Sequence, residues 1–324
     1  MKWSIEKIKL DLVVNWKISR NESLFKENYI LKLQTKEGEF LGEAAPNIRY
    51  GESASRIEKD YQKLLNANEN DHEELLKKLD DFHFCHSFRF ACESAILRSL
   101  AFKMNKSLPD YLNLMTKKKV STSFSIPIMQ EDKIEDYLSK CERFHFLKLK
   151  INKDKAYELT EEVLKYMKPH QTLRIDGNET FLNKGECLSY LNHFRNEKIE
   201  FIEQPMPASQ FQDYLELKKE SPFPLMADES IEEDGDFSKL FQGFDYINVK
   251  LMKAGGLLNA IRLLKLAKEH GMKTMLGCMI ETSLGIRDAL YLSSLADVYD
   301  LDGGLLIKED PFKYVQEVDG EIFY

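Results

Sequence analysis

The sequence predicts an α/β protein built around a closed parallel barrel, preceded by a separate α+β domain. From about residue 120, the 324-residue chain alternates short apolar runs with amphipathic stretches of helical period. Eight strands and seven helices are predicted there, and eight is the number of strands that closes such a barrel. A doubly wound open sheet is the alternative, but no glycine-rich phosphate loop follows the first strand. We therefore expect a modified TIM barrel of the (β/α)7β type.

The eight predicted strands are short runs with the apolar pattern of buried parallel strands. They are VSTSFSI, HFLKLK, TLRIDG, IEFIEQ, PLMADE, YINVKL, KTMLGCM and VYDLDG. Between them lie amphipathic segments such as DKAYELTEEVLKYMK and LLNAIRLLKLAKEHG. The second of these ends at Gly271, where a helix C-cap is expected.

Residues 1–118 have a different pattern and are predicted to form an α+β domain that caps the barrel. WSIEKIKLDLV and NYILKLQTKEGEFLGEAAP alternate like antiparallel strands, whereas FRFACESAILRSLAFKMN is typical of a long helix. The barrel is expected over residues 119–303. We expect residues 304–324 to return to the first domain and complete it.

Composition excludes several classes of partner. The net charge of −8 and the pI of about 5.6 argue against binding to nucleic acid or to an anionic membrane. The five cysteines are odd in number and form no CxxC pair, which suits a reducing compartment. The first residues lack the apolar core of a signal peptide, and no segment has the length of a membrane span. We expect a cytoplasmic protein. A homo-oligomer is possible, and the sequence does not determine the oligomeric state.

Charged and polar side chains recur where the predicted barrel strands end. They are Lys148, Lys150, Asp176, Asn178, Glu203, Asp228, Glu229, Lys250, Glu281, Asp300 and Asp302. In the third strand Arg174, Asp176 and Asn178 share one face, and burying them without partners would be costly. Active sites of such barrels lie at this carboxyl-terminal rim. The pattern therefore indicates a polar site at the barrel mouth.

Three of these residues are carboxylates on consecutive strands: Asp176, Glu203 and Asp228. No histidine or cysteine accompanies them, and a set of oxygen ligands favours a hard cation such as Mg²⁺. The alternative is that each acid only caps the helix that follows it. Three acids on three successive strands favour the metal site.

Two lysines, Lys150 on the second strand and Lys250 on the sixth, would flank that metal from opposite sides. A lysine acts as a general base when its pKa is lowered, and nearby positive charge lowers it. Mg²⁺ and the adjacent Lys148 would supply this charge. The alternative is that Lys148 and Lys150 are solvated surface lysines, but their apolar neighbours Leu147 and Leu149 argue against it.

The succession of motifs resembles the muconate-lactonizing subgroup of the enolase superfamily across essentially the whole chain. The motifs are KLK, RIDGN, FIEQPM, MADES, NVKLMKAGG and GCMIETSLG, with GEAAPNIRYGES and ESAILRSLAFKM in the first domain. The resemblance implies that Asp176, Glu203 and Asp228 bind the metal. It also implies that Lys150 and Lys250 are an acid/base pair acting through an enediolate, the chemistry known for enolase-type sites. Lys148 would assist Lys150, and Asn178 would lie just outside the metal ligands.

The segment DLDGGLL narrows the resemblance to the dipeptide epimerases, in which two such aspartates hold the α-ammonium group of the substrate. Asp300 and Asp302 share one strand face, which suits a substrate cation. A turn is the alternative, because Asp followed by Gly-Gly is common in turns. Arg20 and Glu281 are further candidates for substrate binding, Arg20 for an acidic side chain.

The sequence thus predicts an Mg²⁺-dependent dipeptide epimerase that inverts the α-carbon of the C-terminal residue of its substrate. Its small-molecule partner would be a dipeptide. Rival functions within the subgroup are o-succinylbenzoate synthase and N-acylamino acid racemase, neither of which needs an ammonium-binding pair. A rival of another class is a non-catalytic protein that binds carboxylates or peptides, against which the intact Lys150 and Lys250 speak.

Overall fold

The N-terminal domain is built on a three-stranded antiparallel sheet. The computed structural model describes residues 2–18, 21–67, 69, 71–231 and 237–324. The sheet strands are β1 (Lys2–Ile18), β2 (Asn21–Gln34) and β3 (Glu39–Ala44). β1 and β2 form a long hairpin, and β3 pairs with the other edge of β2. Tyr29, Leu31 and Leu33 alternate along β2 and are buried in the domain core, as expected for a strand with one buried face.

Four helices complete this domain: α1 (Ala54–Asn66), α2 (His72–Lys77), α3 (His86–Lys103) and α4 (Leu108–Tyr111). α3 is the predicted long helix, and it is buried on most of its surface because it lies between the sheet and the barrel. β3 approaches α3 so closely that a Cβ atom at Gly42 would lie 2.0 Å from the carbonyl oxygen of Ala91. Glycine is therefore required at position 42 for this packing.

All eight predicted strands form one parallel barrel that follows the short strand β4 (Val120–Ser121). They are β5 (Ser123–Ile126), β6 (Phe146–Lys150), β7 (Thr172–Asp176), β8 (Ile199–Glu203), β9 (Leu225–Ala227), β10 (Tyr246–Lys250), β11 (Lys273–Gly277) and β12 (Val298–Asp300). They are hydrogen-bonded in sequence order, and a parallel bridge between Thr122 and Tyr299 joins the first to the last. The predicted fold class is confirmed.

Helices connect the barrel strands on the outside. They are α5 (Ile134–Ser139), α6 (Ala156–Tyr166), α7 (Lys184–His193), α8 (Phe211–Glu220), α9 (Phe237–Gly243), α10 (Leu251–Ala254), α11 (Leu257–Glu269) and α12 (Ser283–Tyr291). α10 and α11 share the connection between β10 and β11, so seven connections carry helices, as predicted. Gly271 follows α11 with a φ of 72°, in the left-handed conformation that favours glycine after a helix. None of the described helices has both the length and the apolar character needed to cross a membrane.

Arg174 lies inside the barrel rather than at its mouth. Its guanidinium carbon is 4.1 Å from the ring centroid of Phe146, and its Nε donates to Glu200 at 2.7 Å. Nη1 donates to the carbonyl oxygen of Tyr299 at 2.8 Å. Because its charge is paired and its donors are used within the barrel, Arg174 stabilises the barrel interior and leaves the rim to Asp176.

The chain after β12 contacts both parts of the molecule. The carbonyl oxygen of Leu306 accepts a hydrogen bond from the backbone N–H of Val13 in β1 at 3.0 Å, and the backbone N–H of Lys308 donates to the carbonyl oxygen of Asp11 at 2.8 Å. Further on, β13 (Gln316–Val318) and β14 (Glu321–Phe323) form a hairpin that pairs with β4. The predicted domain boundary near residue 118 and the assignment of residues 304–324 to the first domain stay predictions.

Candidate active site

A cavity of about 540 Å³ lies at the carboxyl ends of the barrel strands and is covered by the N-terminal domain. Its barrel side is lined by seven of the predicted site residues: Lys148, Lys150, Asn178, Asp228, Lys250, Asp300 and Asp302. Asp176 and Glu203 are fully buried at the ends of β7 and β8. The structure therefore brings the predicted carboxylates and lysines together at one mouth of the barrel.

The pairing register of the parallel strands sets the positions of these groups. Lys150 lies opposite Asp176, and Asp176 lies opposite Glu203, so that β6, β7 and β8 end side by side. On the other side Lys250 lies opposite Gly277, which in turn lies opposite Asp300. Gly277 must be small, because a Cβ atom there would lie 2.2 Å from Oδ1 of Asn248.

Each of the three predicted metal-binding carboxylates contacts a lysine. Asp176 Oδ2 accepts a hydrogen bond from Lys150 Nζ at 2.7 Å, and Asp228 Oδ2 accepts one from Lys250 Nζ at 2.7 Å. Glu203 Oε2 lies 2.7 Å from Lys148 Nζ. Burial opposes ionisation of Asp176, but Lys150 and Lys148 outweigh it and lower its pKa to about 2.

Glu203 is the least compensated of these carboxylates. Its Oε1 accepts a hydrogen bond from Asn248 Nδ2 at 2.8 Å. The buried Oε2 lies 2.7 Å from the Lys148 ammonium group but accepts no hydrogen bond. Burial raises the pKa of Glu203 to about 7; Lys148 opposes this shift, and Asp176 and Asp228 add to it. An additional positive charge at this position would favour the ionised form.

The chemistry of this donor set fits a hard divalent cation. Asp176, Glu203 and Asp228 offer carboxylate oxygens, and Glu203 Oε2, which accepts no hydrogen bond, would gain a ligand bond. Within the described part of the chain, no three acidic, histidine or cysteine side chains are already grouped closely enough to hold a metal ion. The carboxylate oxygens instead contact the ammonium groups of the lysines.

The two predicted acid/base lysines lie on opposite sides of the barrel, because β6 and β10 are separated by three strands in each direction around the barrel. Both line the cavity, and their side chains are about one-tenth exposed. Lys150 Nζ lies 5.8 Å from the ring centroid of Trp16 in the N-terminal domain. Burial lowers the pKa of Lys250, but Asp228 and Glu203 raise it further, so that it lies well above its usual value.

Lys148 is a buried cation held by carboxylates from three strands. Its Nζ lies 2.7 Å from Glu203, 2.7 Å from Asp300 and 3.4 Å from Asp176. Burial lowers its pKa, but Asp300, Glu203 and Asp176 together raise the pKa well above the usual value. Lys148 therefore supplies a positive charge close to Lys150, held in place by carboxylates from three strands.

Asp300 and Asp302 both line the cavity. The residues that follow them form a short 3-10 turn, Gly303–Leu305, so the turn considered from the sequence is also present. Asp300 accepts hydrogen bonds from Lys148 at 2.7 Å and from Ser123 Oγ at 2.8 Å. Asp302 Oδ2 accepts one from the backbone N–H of Ser125 at 2.7 Å. Burial, and next the charge of Asp300, raise the pKa of Asp302 to about 7. A bound cation would favour its ionised form.

The structure does not place Glu281 on the cavity wall. Its Oε1 accepts a hydrogen bond from the backbone N–H of Met279 at 2.8 Å, and its carboxyl group lies near Glu43 at the start of α12. Burial, followed by the charge of Glu43, raises its pKa well above the usual value. The prediction that Glu281 binds substrate is therefore not supported by its position. Arg20 lies outside the described residues.

The N-terminal domain covers the cavity with side chains that could not be predicted from the ends of the barrel strands. The roof residues, as we call them, are Trp16, Lys26, Asn28, Ile48, Arg49 and Tyr50. Arg49 Nη2 donates to Glu179 Oε2 at 2.7 Å, which ties this roof to the loop after β7. The segment GEAAPNIRYGES resembles the corresponding segment of the family, but no local sequence pattern shows which of its side chains face the barrel.

Lys253 contacts one of the predicted metal-binding carboxylates, a contact that the sequence did not indicate. Its Nζ donates to the backbone oxygen of Asp228 at 2.6 Å and to Oδ1 at 2.5 Å. Asp228 is thus held by two lysines, Lys250 and Lys253, and its pKa is lowered because their charges outweigh the effect of burial.

The fold is that of a barrel enzyme whose mouth carries opposed lysines and carboxylates. A comparison with protein families shows which family the chain belongs to. The family model described as Enolase C-terminal domain-like matches residues 131–313, more than half of the chain. The chain belongs to this family of the enolase superfamily. The predicted resemblance is confirmed.

Individual relatives agree with this assignment. The L-Ala-D/L-amino acid epimerase of Pedosphaera parvula is 36% identical over 293 residues, which cover 87% of this chain and 83% of that protein. An enolase family member from Agrobacterium tumefaciens with homology to dipeptide epimerases, solved with bound sodium and L-Ala-L-Glu, superposes with a TM-score of 0.90. It is 25% identical, over 99% of this chain and 97% of the other.

A second structure shows the same fold at lower identity. The dipeptide epimerase of Methylococcus capsulatus, solved with Mg and L-Arg-D-Lys, has a TM-score of 0.87 and 23% identity, over 99% of this chain and 96% of that one. The relatives are named epimerases, which are isomerases. The predicted class of enzyme is confirmed.

Proposed function

We propose that this protein is a dipeptide epimerase that inverts the α-carbon of the C-terminal residue of its substrate. One observation carries the proposal: the cavity at one mouth of the barrel is lined by two opposed lysines and a pair of aspartates, and three carboxylates from consecutive strands meet at the same mouth. Such a cavity offers the metal-binding carboxylates for the carboxylate end of a dipeptide and the aspartate pair for its ammonium end. It also offers one lysine to each face of the α-carbon of the C-terminal residue. The dipeptide ligands of the structural relatives support the same substrate class.

Asp176, Glu203 and Asp228 would hold Mg²⁺, the ion named with the Methylococcus capsulatus enzyme. When bound, Mg²⁺ would stabilise the negative charge that builds on the substrate carboxylate as the α-proton leaves, and would offset the negative charge of the carboxylates that contact the lysines. Lys148 adds a fixed positive charge beside the same carboxylates.

The proton is moved by Lys150 and Lys250. The Nζ of one lysine accepts the α-proton from one face, and the protonated Nζ of the other delivers a proton to the opposite face. The α-carbon is thereby inverted, because the two lysines stand on strands that face each other across the barrel. In the reverse reaction the two lysines exchange roles.

Asp300 and Asp302 would bind the α-ammonium group at the other end of the dipeptide. Asp300 already pairs with Lys148, so Asp302, which contacts only neutral donors among the described residues, is the main acceptor. An acyl group at this position would present no positive charge, which disfavours N-acylamino acids and succinylbenzoate precursors as substrates.

Removal of the metal should abolish epimerisation, and added Mg²⁺ should restore it. Asp228→Asn should weaken Mg²⁺ binding measured by calorimetry while leaving the circular dichroism spectrum unchanged, since one anionic ligand is lost without a change of shape. Full activity in excess chelator, with the absence of metal verified by elemental analysis, would disprove the metal site.

Replacement of either acid/base lysine by alanine should stop epimerisation, with losses of about 10²–10⁴-fold or more, because positioned acid/base groups contribute that much. Each single variant should still exchange the α-proton of one epimer with D₂O, since the other lysine still faces it. Lys153→Ala is the matched control; this lysine is about half exposed and lies 3.5 Å from Glu186. Near wild-type epimerisation by both Lys150→Ala and Lys250→Ala would rule out the two-base mechanism.

Asp302→Asn should lower kcat/KM for a dipeptide by roughly thirty- to several-thousand-fold, since losing one partner of a buried charge pair costs on the order of 2–5 kcal/mol. The asparagine Oδ1 can still accept from Ser125, so the fold and Mg²⁺ affinity should be nearly unchanged. N-acetylation of the dipeptide should impair turnover by the wild type. Preference of the wild type for N-acyl amino acids over free dipeptides would contradict the substrate assignment.

A further inference from the structure

Helix α3 of the N-terminal domain holds the chain that follows the sixth barrel strand. Arg89 and Glu93 lie one turn apart on α3 and form an ion pair at 2.9 Å, in which Arg89 is mostly buried and Glu93 fully buried. Glu93 Oε1 accepts a hydrogen bond from the backbone N–H of Leu258 at 3.0 Å. Arg89 Nη1 donates to the carbonyl oxygen of Gly255 at 2.5 Å. These two residues, which we call the α3 pair, therefore hold the backbone between α10 and α11.

The start of α11 is shaped to receive the α3 pair. The first turn of this helix, all of which the structure describes, carries no acidic side chain, and its N-cap residue is Gly256. The free N–H groups of a helix start need acceptors, and Glu93 supplies one from another part of the chain. A Cβ atom at position 256 would lie 2.3 Å from Glu93 Oε1, so only glycine lets the carboxylate approach this closely.

One short helix separates the α3 pair from a proposed acid/base lysine. Lys250 ends β10, α10 follows directly, and Lys253 lies within α10. Both lysines donate to Asp228, Lys250 to Oδ2 at 2.7 Å and Lys253 to Oδ1 at 2.5 Å. An isolated helix of four residues is not stable in water, so the position of α10 depends on the elements that it contacts, and α3 is one of them. A shift of α10 would displace both lysines from Asp228.

The other acid/base lysine is supported from within the barrel. Lys150 lies on β6, which is separated from β10 by three strands in each direction. The next residue, Ile151, donates its backbone N–H to the carbonyl oxygen of Asp176 at 3.1 Å. The α3 pair therefore acts on the chain next to one of the two lysines and is remote from the other.

We infer that Arg89 and Glu93 are positioning residues that set Lys250 for proton transfer at one face of the α-carbon. Proton transfer at the other face, by Lys150, would be independent of them. The inference rests on the proposed function and adds that the N-terminal domain contributes to the reaction through α3. Neither Arg89 nor Glu93 lines the cavity, so both would act through α10. Small displacements of a reacting group are costly, and a shift of α10 would slow the transfer by Lys250.

The test measures exchange of the α-proton with D₂O separately for the two epimers of one dipeptide. The epimer that Lys150→Ala still exchanges is the one served by Lys250. Glu93→Gln should slow exchange of this epimer by about ten- to a hundredfold, the effect of a displacement of about 1 Å, and leave the other epimer nearly unchanged. Glutamine keeps the shape of Glu93 but has one acceptor oxygen, so it cannot serve both Leu258 and Arg89. Arg89→Met should act in the same direction.

Arg98→Gln is the matched control. Arg98 lies on the same helix and pairs with Asp288 of α12, so it also joins α3 to the barrel. α12 follows β11, which carries neither of the two acid/base lysines. This variant should lower the thermal midpoint while the two exchange rates keep their wild-type ratio. A wild-type ratio in both Glu93→Gln and Arg89→Met would overturn the inference, whether or not the two rates fall in parallel, because a general loss of stability slows both.

Backbone hydrogen exchange followed by mass spectrometry tests the inference without turnover. The amides of α10 should lose protection in Glu93→Gln while those of β6 keep it, because local opening follows the loss of local contacts. Arg98→Gln should leave both segments as protected as in the wild type. If the wild type exchanges no α-proton with any dipeptide, the proposed function fails, and this measurement then decides the role of the α3 pair. Loss of protection in α10 and not in β6 would support it, and unchanged protection of α10 would overturn it.

Discussion

Mutual neutralisation of buried charges at the barrel mouth is the constraint on which the rest of this structure depends. Lys148 shows it most directly, because its fully buried ammonium group contacts carboxylates from β7, β8 and β12. An isolated ion in such a position would be strongly destabilising, and losing one partner of a buried pair typically costs about 3–5 kcal/mol. Lysines and acids must therefore be retained together, and the parallel register places them close enough to pair.

This pairing leaves the two parts of the molecule with different tasks. The barrel supplies the groups that would act on what every dipeptide has in common: a carboxylate, an α-proton and an ammonium group. The N-terminal domain covers these groups with a mixture of apolar and positively charged side chains, fixed by Asn28 and Arg49. The lysines and carboxylates of the site thus lie on the barrel strands, and the side chains that cover them lie on the N-terminal domain.

Most of the barrel and its charged rim could be predicted from the sequence, because strand ends, the period of two and the alternation with helices are local patterns. Lys150, Asp176 and Lys250 needed only their positions at the ends of apolar runs. The roof could not be predicted in this way, since the contact of Asn28 with Ile280 joins residues 252 positions apart. The orientation of Glu281 could not be predicted for a related reason: a position after a strand end does not show that its carboxyl group lies near the buried Glu43.

The central claim is that the opposed lysines invert the α-carbon of the C-terminal residue of a dipeptide. It is tested most directly by incubating the wild-type enzyme with Mg²⁺ and a panel of L,L-dipeptides in D₂O, followed by proton NMR. We expect the L,D epimer to form with deuterium at the α-carbon of the C-terminal residue, while the N-terminal α-proton is retained. Absence of deuterium from every dipeptide, or its incorporation at the N-terminal residue, would contradict the claim.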